Sequence, residues 1–147
     1  AAFQPPMLVA SGTTSMGQAL KLLATQIDAE VNRTTADTKG DWKPLVFLMT
    51  DGMPTDNWQV GLDELKKRKV GTVVACAAGQ QGDEAVLKQI TEIVVRLDTA
   101  DSSTIAAFFK WVSASISTGS QWVDAGGKEV AGIDDLPPPP KEINLVV

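Results

Sequence analysis

The chain of 147 residues contains no histidine. That absence removes imidazole-based zinc sites, Ser-His-Asp triads and Cys-His pairs together. There is one cysteine, Cys76, so no intrachain disulfide can form, which fits a reducing, cytoplasmic compartment. Cys76 lies inside Val73-Val74-Ala75-Cys76-Ala77-Ala78, a buried-strand pattern, and reads as a small core residue rather than a nucleophile. No apolar run reaches the roughly 20 residues that span a bilayer, so no membrane segment is expected. Basic residues are also scarce: 13 Lys and Arg against 18 Asp and Glu leave a net charge of −5. The one basic cluster, Lys66-Lys67-Arg68-Lys69, reads as the solvated end of a helix, where cations complement the macrodipole. A nucleic-acid-binding face is not expected.

What is present is enough apolar sequence, 44%, for one domain with its own core. Residues 45–52 read LVFLMTDG, a short uncharged run between Pro44 and Gly52, and this fits a strand buried on both faces of a parallel sheet. Residues 72–77 and 93–97 repeat the pattern. Between them stand amphipathic segments. The first spans 17–32, with Leu20, Leu23, Ala24, Ile27 and Val31 at helical spacing. The second spans 57–69, carries Trp58, Leu62 and Leu65 on one face, and has Asp56 or Asn57 as its cap. A third is capped by Asp83. The fourth is capped by Asp101 or Ser102 and carries Ile105, Phe108, Phe109, Val112 and Ile116. Helices alternating with strands predict right-handed crossovers and an α/β fold with a parallel, Rossmann-like sheet.

The character changes after Thr118, which divides the chain into a domain, 1–118, and a proline-containing tail, 119–147. In that tail, 121–131 can form a hairpin around Gly126-Gly127, 137–140 is a polyproline spacer, and 143–147 is β-prone. The terminal strand can add to a sheet edge of its own domain or of a partner. Trp58 and Trp111 fall on helix stripes and read as core, whereas Trp42 and Trp122 are candidates for a contact surface.

Asp51 should sit just past the carboxyl end of the first strand, the edge where ligands bind in open α/β sheets. The loop Gly12-Thr13-Thr14-Ser15-Met16-Gly17 precedes that strand by a helix's length. Hydroxyl and carboxylate oxygens from Thr14, Asp51 and Asp56 suit a hard ion such as Mg²⁺ or Mn²⁺. The plainer alternative is that Thr14 caps the helix after it and Asp51 caps or turns toward the Pro54 loop, with no metal involved.

Taken together, residues 11–20, 39–44, 45–54, 75–79 and 97–112 resemble a von Willebrand factor A domain. Within that family they are most similar to the bacterial TerY-like branch associated with tellurite resistance. The resemblance implies metal ligands at Thr14 and Asp51 and no catalytic residues. The family's first metal motif, Asp-x-Ser-x-Ser, has no counterpart: Ala114-Ser115-Ile116-Ser117 lacks the acid, and Asp101-Ser102-Ser103 stands at a different topological place. The resemblance thus implies the carboxyl-terminal part of such a domain, with Mg²⁺ bound weakly or not at all. The amino-terminal half would then be supplied in trans or replaced by self-association.

The expected function is a non-enzymatic protein-interaction module in a tellurite or stress-response system. Its metal edge would engage a partner's acidic group, and the resemblance implies a phosphatase and a kinase-like protein as partners. The alternative is a phosphoacceptor or phosphohydrolase-like domain that uses Asp51 with Mg²⁺. It lacks a well-placed lysine, and no phosphate-binding loop appears.

Overall fold

The computed structural model describes residues 4, 7, 9, 11–41, 43–124 and 136–146. Four strands form its sheet: β1 (Val46–Thr50), β2 (Val73–Ala78), β3 (Ile93–Leu97) and β4 (Ile143–Leu145), in the order β1-β2-β3-β4. The first three run parallel and β4 is antiparallel to β3. The expected parallel α/β sheet is therefore present. Val74, Ala75, Cys76 and Ala77 are wholly buried because helices cover both faces of β2.

The terminal segment docks on its own domain. Leu136 and Ile143 are buried in the core, the Trp111 indole N–H donates to the Pro137 carbonyl at 2.8 Å, and the Val146 amide donates to the Val94 carbonyl at 2.9 Å. Those contacts close the β3 edge that three strands would leave open. At the other side, β1 is the edge strand among the described residues.

Four helices flank the sheet: α1 (Met16–Glu30), α2 (Trp58–Lys66), α3 (Glu84–Ile90) and α4 (Ser102–Asp124). One face buries Met16, Leu20, Ala24 and Ile27 of α1 with Trp58, Leu62 and Leu65 of α2, Leu87 of α3, and Ala75, Ala77 and Val94 of the sheet. The opposite face packs Phe108, Trp111 and Val112 of α4 on Val74, Cys76, Val95 and Leu97. Trp58 and Trp111 are core residues, as their spacing predicts. Trp42 lies outside the described residues, as does the side chain of Trp122. Burial pushes the Cys76 thiol up to about 12, so it stays protonated and inert at neutral pH.

Several boundaries differ from expectation, each for a local reason. α2 ends at Lys66 rather than Lys69. Beyond it Lys67 pairs with Glu64 at 2.7 Å and Arg68 bridges Asp28 at 2.7 Å and Glu64 at 3.1 Å, so the basic quartet is partly tied down as surface ion pairs. α4 runs on to Asp124, through Thr118 and the first residues of the expected hairpin. A lone Gly119 does not stop a helix, and the first double glycine is Gly126-Gly127. The rest of that hairpin, 125–131, lies outside the described residues.

Caps account for most of the acids near the helix starts. Asp83 accepts from the Val86 amide at 3.1 Å and caps α3. Asp101 caps α4: its carboxylate accepts from the amides of Ser103 at 2.9 Å and Thr104 at 3.0 Å and from the hydroxyls of Thr99, Ser103 and Thr104. The Ser103 and Thr99 hydroxyls and the Thr104 amide hold that carboxyl well below the usual carboxylate range. A depressed folded-state pKa contributes stability that is present above the unfolded value of about 3.9 and lost as pH falls below it. Asp101→Asn keeps an acceptor but cannot titrate, so acid unfolding of the variant should show a shallower loss of stability below about pH 4. Superimposable acid limbs from pH-resolved urea titrations would show that the cap does not contribute this way.

Candidate functional site

Thr50, buried at the end of β1, shapes the turn that presents Asp51. Its hydroxyl donates to the Gly52 carbonyl at 3.1 Å and lies 3.4 Å from the Gly52 amide. With Gly52 held on both its polar groups, Asp51 leaves the strand exposed. The loop before α1 meets this turn. The Thr14 hydroxyl oxygen would lie 3.3 Å from a Cβ placed on Gly52, and the Thr14 carbonyl accepts from the Thr55 amide at 2.9 Å. Gly12, with φ of 84°, starts that loop in a conformation that favours glycine. The structure therefore brings Thr14 to the turn that contains Asp51, although helix α1 and a long loop separate the two in the sequence.

Asp56 has a different role from the one expected of it. Its two carboxylate oxygens accept from the amides of Gly17 at 2.9 Å and Gln18 at 3.0 Å, so it caps α1 from across the site rather than capping α2. Asn57 precedes α2 without a side-chain cap, and Ser15 precedes α1 without one. The orphan amides and positive dipole end of α1 are thus neutralised by Asp56. This also disposes of a side-chain cap by Thr14.

The acids along the carboxyl edge separate cleanly once their partners are named. Asp56, Asp83 and Asp101 cap helices, Glu84 pairs with Arg96, and Asp98 accepts from the Asn144 side chain at 3.1 Å. Among the described residues, no hydrogen bond or ion pair engages the Asp51 carboxylate. Folding uses these five acids and leaves Asp51 exposed in the turn that the Thr14 loop meets.

Beside it opens a shallow cleft of about 510 Å³ lined by Met53, Gln80, Gln81, Gly82 and Asp83. Met53, in the turn held by Thr50, is 65% exposed. Sequence reasoning passed over Met53 and Thr50. The motif Thr50-Asp51-Gly52-Met53-Pro54 names them, but only the fold shows one turned inward as a clasp and the other outward.

Whether these residues suit a metal depends on donor type and donor number. A hydroxyl and a carboxylate are hard oxygen donors that match Mg²⁺, which takes about six ligands and keeps several waters. Among the described residues, no group of three or more acidic, cysteine or histidine side chains is placed to hold an ion. The donor chemistry fits a hard cation and the donor number does not.

No helix among the described residues is long and apolar enough to cross a membrane. No curated protein and no solved structure matches the chain. A family profile does match: it describes the von Willebrand factor type A domain and aligns to residues 5–110, which include the Thr14 loop, the Asp51 turn and all three parallel strands. With most of its length matched and a largely parallel α/β sheet carrying the site at its carboxyl edge, the chain belongs to the von Willebrand factor type A domain family.

Proposed function

We propose that this chain is a non-enzymatic protein-interaction module of the TerY-like branch, acting in a tellurite or stress-response system in the cytoplasm. Its Thr14 and Asp51 hold a divalent cation jointly with groups brought by another chain. The observation that carries this reading is the division of labour among the carboxyl-edge acids: Asp56, Asp83 and Asp101 are used as caps, whereas Asp51 has no partner among the described residues and stands in the turn that Thr14 meets. A carboxylate kept exposed and unpaired beside a hydroxyl is a poor device for folding and a good one for binding a hard cation. Met53 and the adjoining cleft add an apolar contact for the partner's surface. The resemblance to the TerY-like branch supports a phosphatase and a kinase-like protein as the partners. It also supports an amino-terminal half, carrying the first metal motif, that comes in trans or is replaced by self-association.

The phosphoacceptor alternative is weaker. Besides Mg²⁺, a phosphoryl group on Asp51 calls for a lysine near its oxygens, but Lys43 precedes β1 and Lys66 closes α2, both at the opposite end of the sheet.

The test is a backbone amide NMR titration with Mg²⁺. Millimolar Mg²⁺ should shift the amides of Thr14, Asp51 and Gly52, with an affinity no tighter than millimolar, since weakly ligated Mg²⁺ keeps its water. Both Asp51→Asn and Thr14→Val should abolish those shifts while leaving the rest of the spectrum in place. Shifts centred on Asp101 or Asp83 instead, or shifts that survive both substitutions, would sink the assignment.

A further inference from the structure

We propose that the cleft at the opposite end of the sheet from Asp51 binds a phosphate monoester. The cleft holds about 510 Å³, within the range of small-molecule sites, and is walled by the loop after α1 and by the residues that follow α2. Ile27, buried, and Val31, half-buried, give it an apolar lining. Its rim carries Arg33, Lys43, Lys67, Arg68 and Lys69 against Asp28 and Asp41, in a chain whose net charge is −5. Cations gather here although the molecule as a whole repels anions. The proposal makes no use of Asp51 or of a metal.

Hydrogen bonds fix one wall of the cleft. From Asn32 to Asp41 the loop has a single apolar side chain, Ala36, so packing cannot hold it. Its ends are tied together instead, in the manner of an Ω-loop. The Asn32 amide and side chain both donate to the Asp41 carboxylate, at 2.8 and 2.9 Å, and the Asp41 amide donates to the Asn32 carbonyl at 2.9 Å. Within the loop, the Gly40 amide donates to the Thr34 hydroxyl at 3.1 Å. The two limbs run so close that a Cβ on Gly40 would stand 2.5 Å from the Asn32 carbonyl oxygen. This pinning sets Arg33 and Thr34 at the rim. Because the Thr34 oxygen accepts from Gly40, its own proton remains to donate to a ligand.

Ion pairing then sorts the charges. Arg68 braces α1 against α2: its Nε and Nη2 donate to Asp28 at 3.1 and 2.7 Å, and its Nη1 donates to the Glu64 carbonyl and carboxylate. Asp28 is thereby committed, as Asp41 is to Asn32. Arg33 reaches Asp28 only at 3.4 Å, with its side chain 85% exposed. Lys67 pairs with Glu64 on the surface, an interaction weak enough to be exchanged for a ligand. Lys69 has no ion-pair or hydrogen-bond partner among the described residues. Offsetting helix dipoles does not account for this rim, since Arg33, Lys43 and Lys69 lie outside the last turns of α1 and α2. Donors therefore face the cleft from two walls, Arg33 and Thr34 on one and Lys67 and Lys69 on the other. A phosphate monoester brings three terminal oxygens and nearly two negative charges to meet both, whereas a carboxylate offers two oxygens in one plane. Its organic part would rest on Ile27 and Val31.

An amide NMR titration with phenyl phosphate tests this, in Mg²⁺-free buffer at about 0.15 M salt and about pH 7.5, where the monoester is mostly dianionic. Saturable shifts should centre on Arg33, Thr34 and Lys69 and leave Thr14 and Asp51 in place. Arg33→Gln and Lys69→Gln should each weaken binding by roughly tenfold, the worth of one charge-assisted hydrogen bond. Lys66→Gln serves as control, because Lys66 belongs to the same basic run but does not line the cleft, and it should bind like the parent chain. Benzoate and inorganic phosphate, which lack the third oxygen and the apolar body respectively, should each bind at least about tenfold more weakly. A phosphotyrosine peptide identifies the source of the ester. Binding as tight as phenyl phosphate places it on a protein side chain, exclusion restricts the cleft to small esters, and either supports the site. Shifts that never saturate, an equal loss in Lys66→Gln, or benzoate or inorganic phosphate bound as tightly as phenyl phosphate would each overturn it. So would shifts centred on the Asp51 turn. Failure of Mg²⁺ to bind at Asp51 would leave this result unchanged, and failure here would leave the Asp51 assignment standing.

Discussion

Replacing Phe108 with alanine should lower the unfolding free energy by roughly 3–5 kcal/mol, the range for deleting a large buried aromatic. Phe108 is 1% exposed and sits where α4 meets the sheet, edge-on to Phe109 at 5.7 Å between ring centroids and tilted against Trp111 at 6.2 Å. Its neighbours leave little freedom to collapse into the gap. Below it lie the backbone-rigid strands β2 and β3, and Ser115 is locked by its hydroxyl bond to the Trp111 carbonyl at 2.8 Å. Small domains are stable by only about 5–15 kcal/mol. The variant should therefore lose most of its folded population well before the parent chain in urea. Phe109→Ala, one residue along and mostly exposed, is the matched control and should change stability far less. Equal losses at the two positions would mean that α4 does not dock as described.

The second large effect is expected at the crossing of α1 and α2. A Cβ on Gly61 would run into the Gly17 carbonyl oxygen and come within 2.8 Å of the Gly17 Cα, and both are backbone atoms that cannot swing aside. Two effects compete in Gly61→Ala. Removing a glycine from a helix interior favours folding by about 0.5–1 kcal/mol, whereas forcing extra volume into a packed contact typically costs about 1–3 kcal/mol. Because the obstacle is backbone, the clash should win and the variant should be less stable in urea titrations. The displacement also has a functional consequence. Prising α1 from α2 withdraws the Gly17 and Gln18 amides from Asp56 and moves Thr14 away from the Gly52 turn. Exchange at Gly17 and Gln18 should accelerate and the Mg²⁺-dependent shifts at Thr14 should vanish together. A stabilised Gly61→Ala with Thr14 unaffected would refute the close crossing.

Much of the fold was legible because the chain writes its elements in separate short-range signals. The apolar runs around Phe47, Cys76 and Val95 are bounded by glycine, proline or acid, and each appears as a strand within a residue or two of its expected span. Asp83 and Asp101 begin helices where a capping acid precedes helical periodicity. The end of α4 was not legible, because a single glycine carries too small a penalty to announce a break. Nor was the docking of β4. Residues 143–145 are β-prone in isolation, yet which edge they join depends on Leu136, Trp111 and Val94, far away in sequence.

The candidate site divides the same way. Sequence alone determined that Thr14 and Asp51 are oxygen donors at the ends of particular elements, that no histidine exists to make other chemistry, and that the strands are buried on both faces. These follow from residue type and local periodicity, which act within a few residues along the chain. Only the tertiary structure decided which acids are free. Asp51, Asp56, Asp83 and Asp101 are the same side chain, and each stands near a helix start or a strand end. Asp56 was lost to the site because α1 brings its amides across 39 positions of sequence to meet it, and a carboxylate goes to the nearest unsatisfied donors. Asp51 stays available because Thr50 satisfies its turn and no amide points at it.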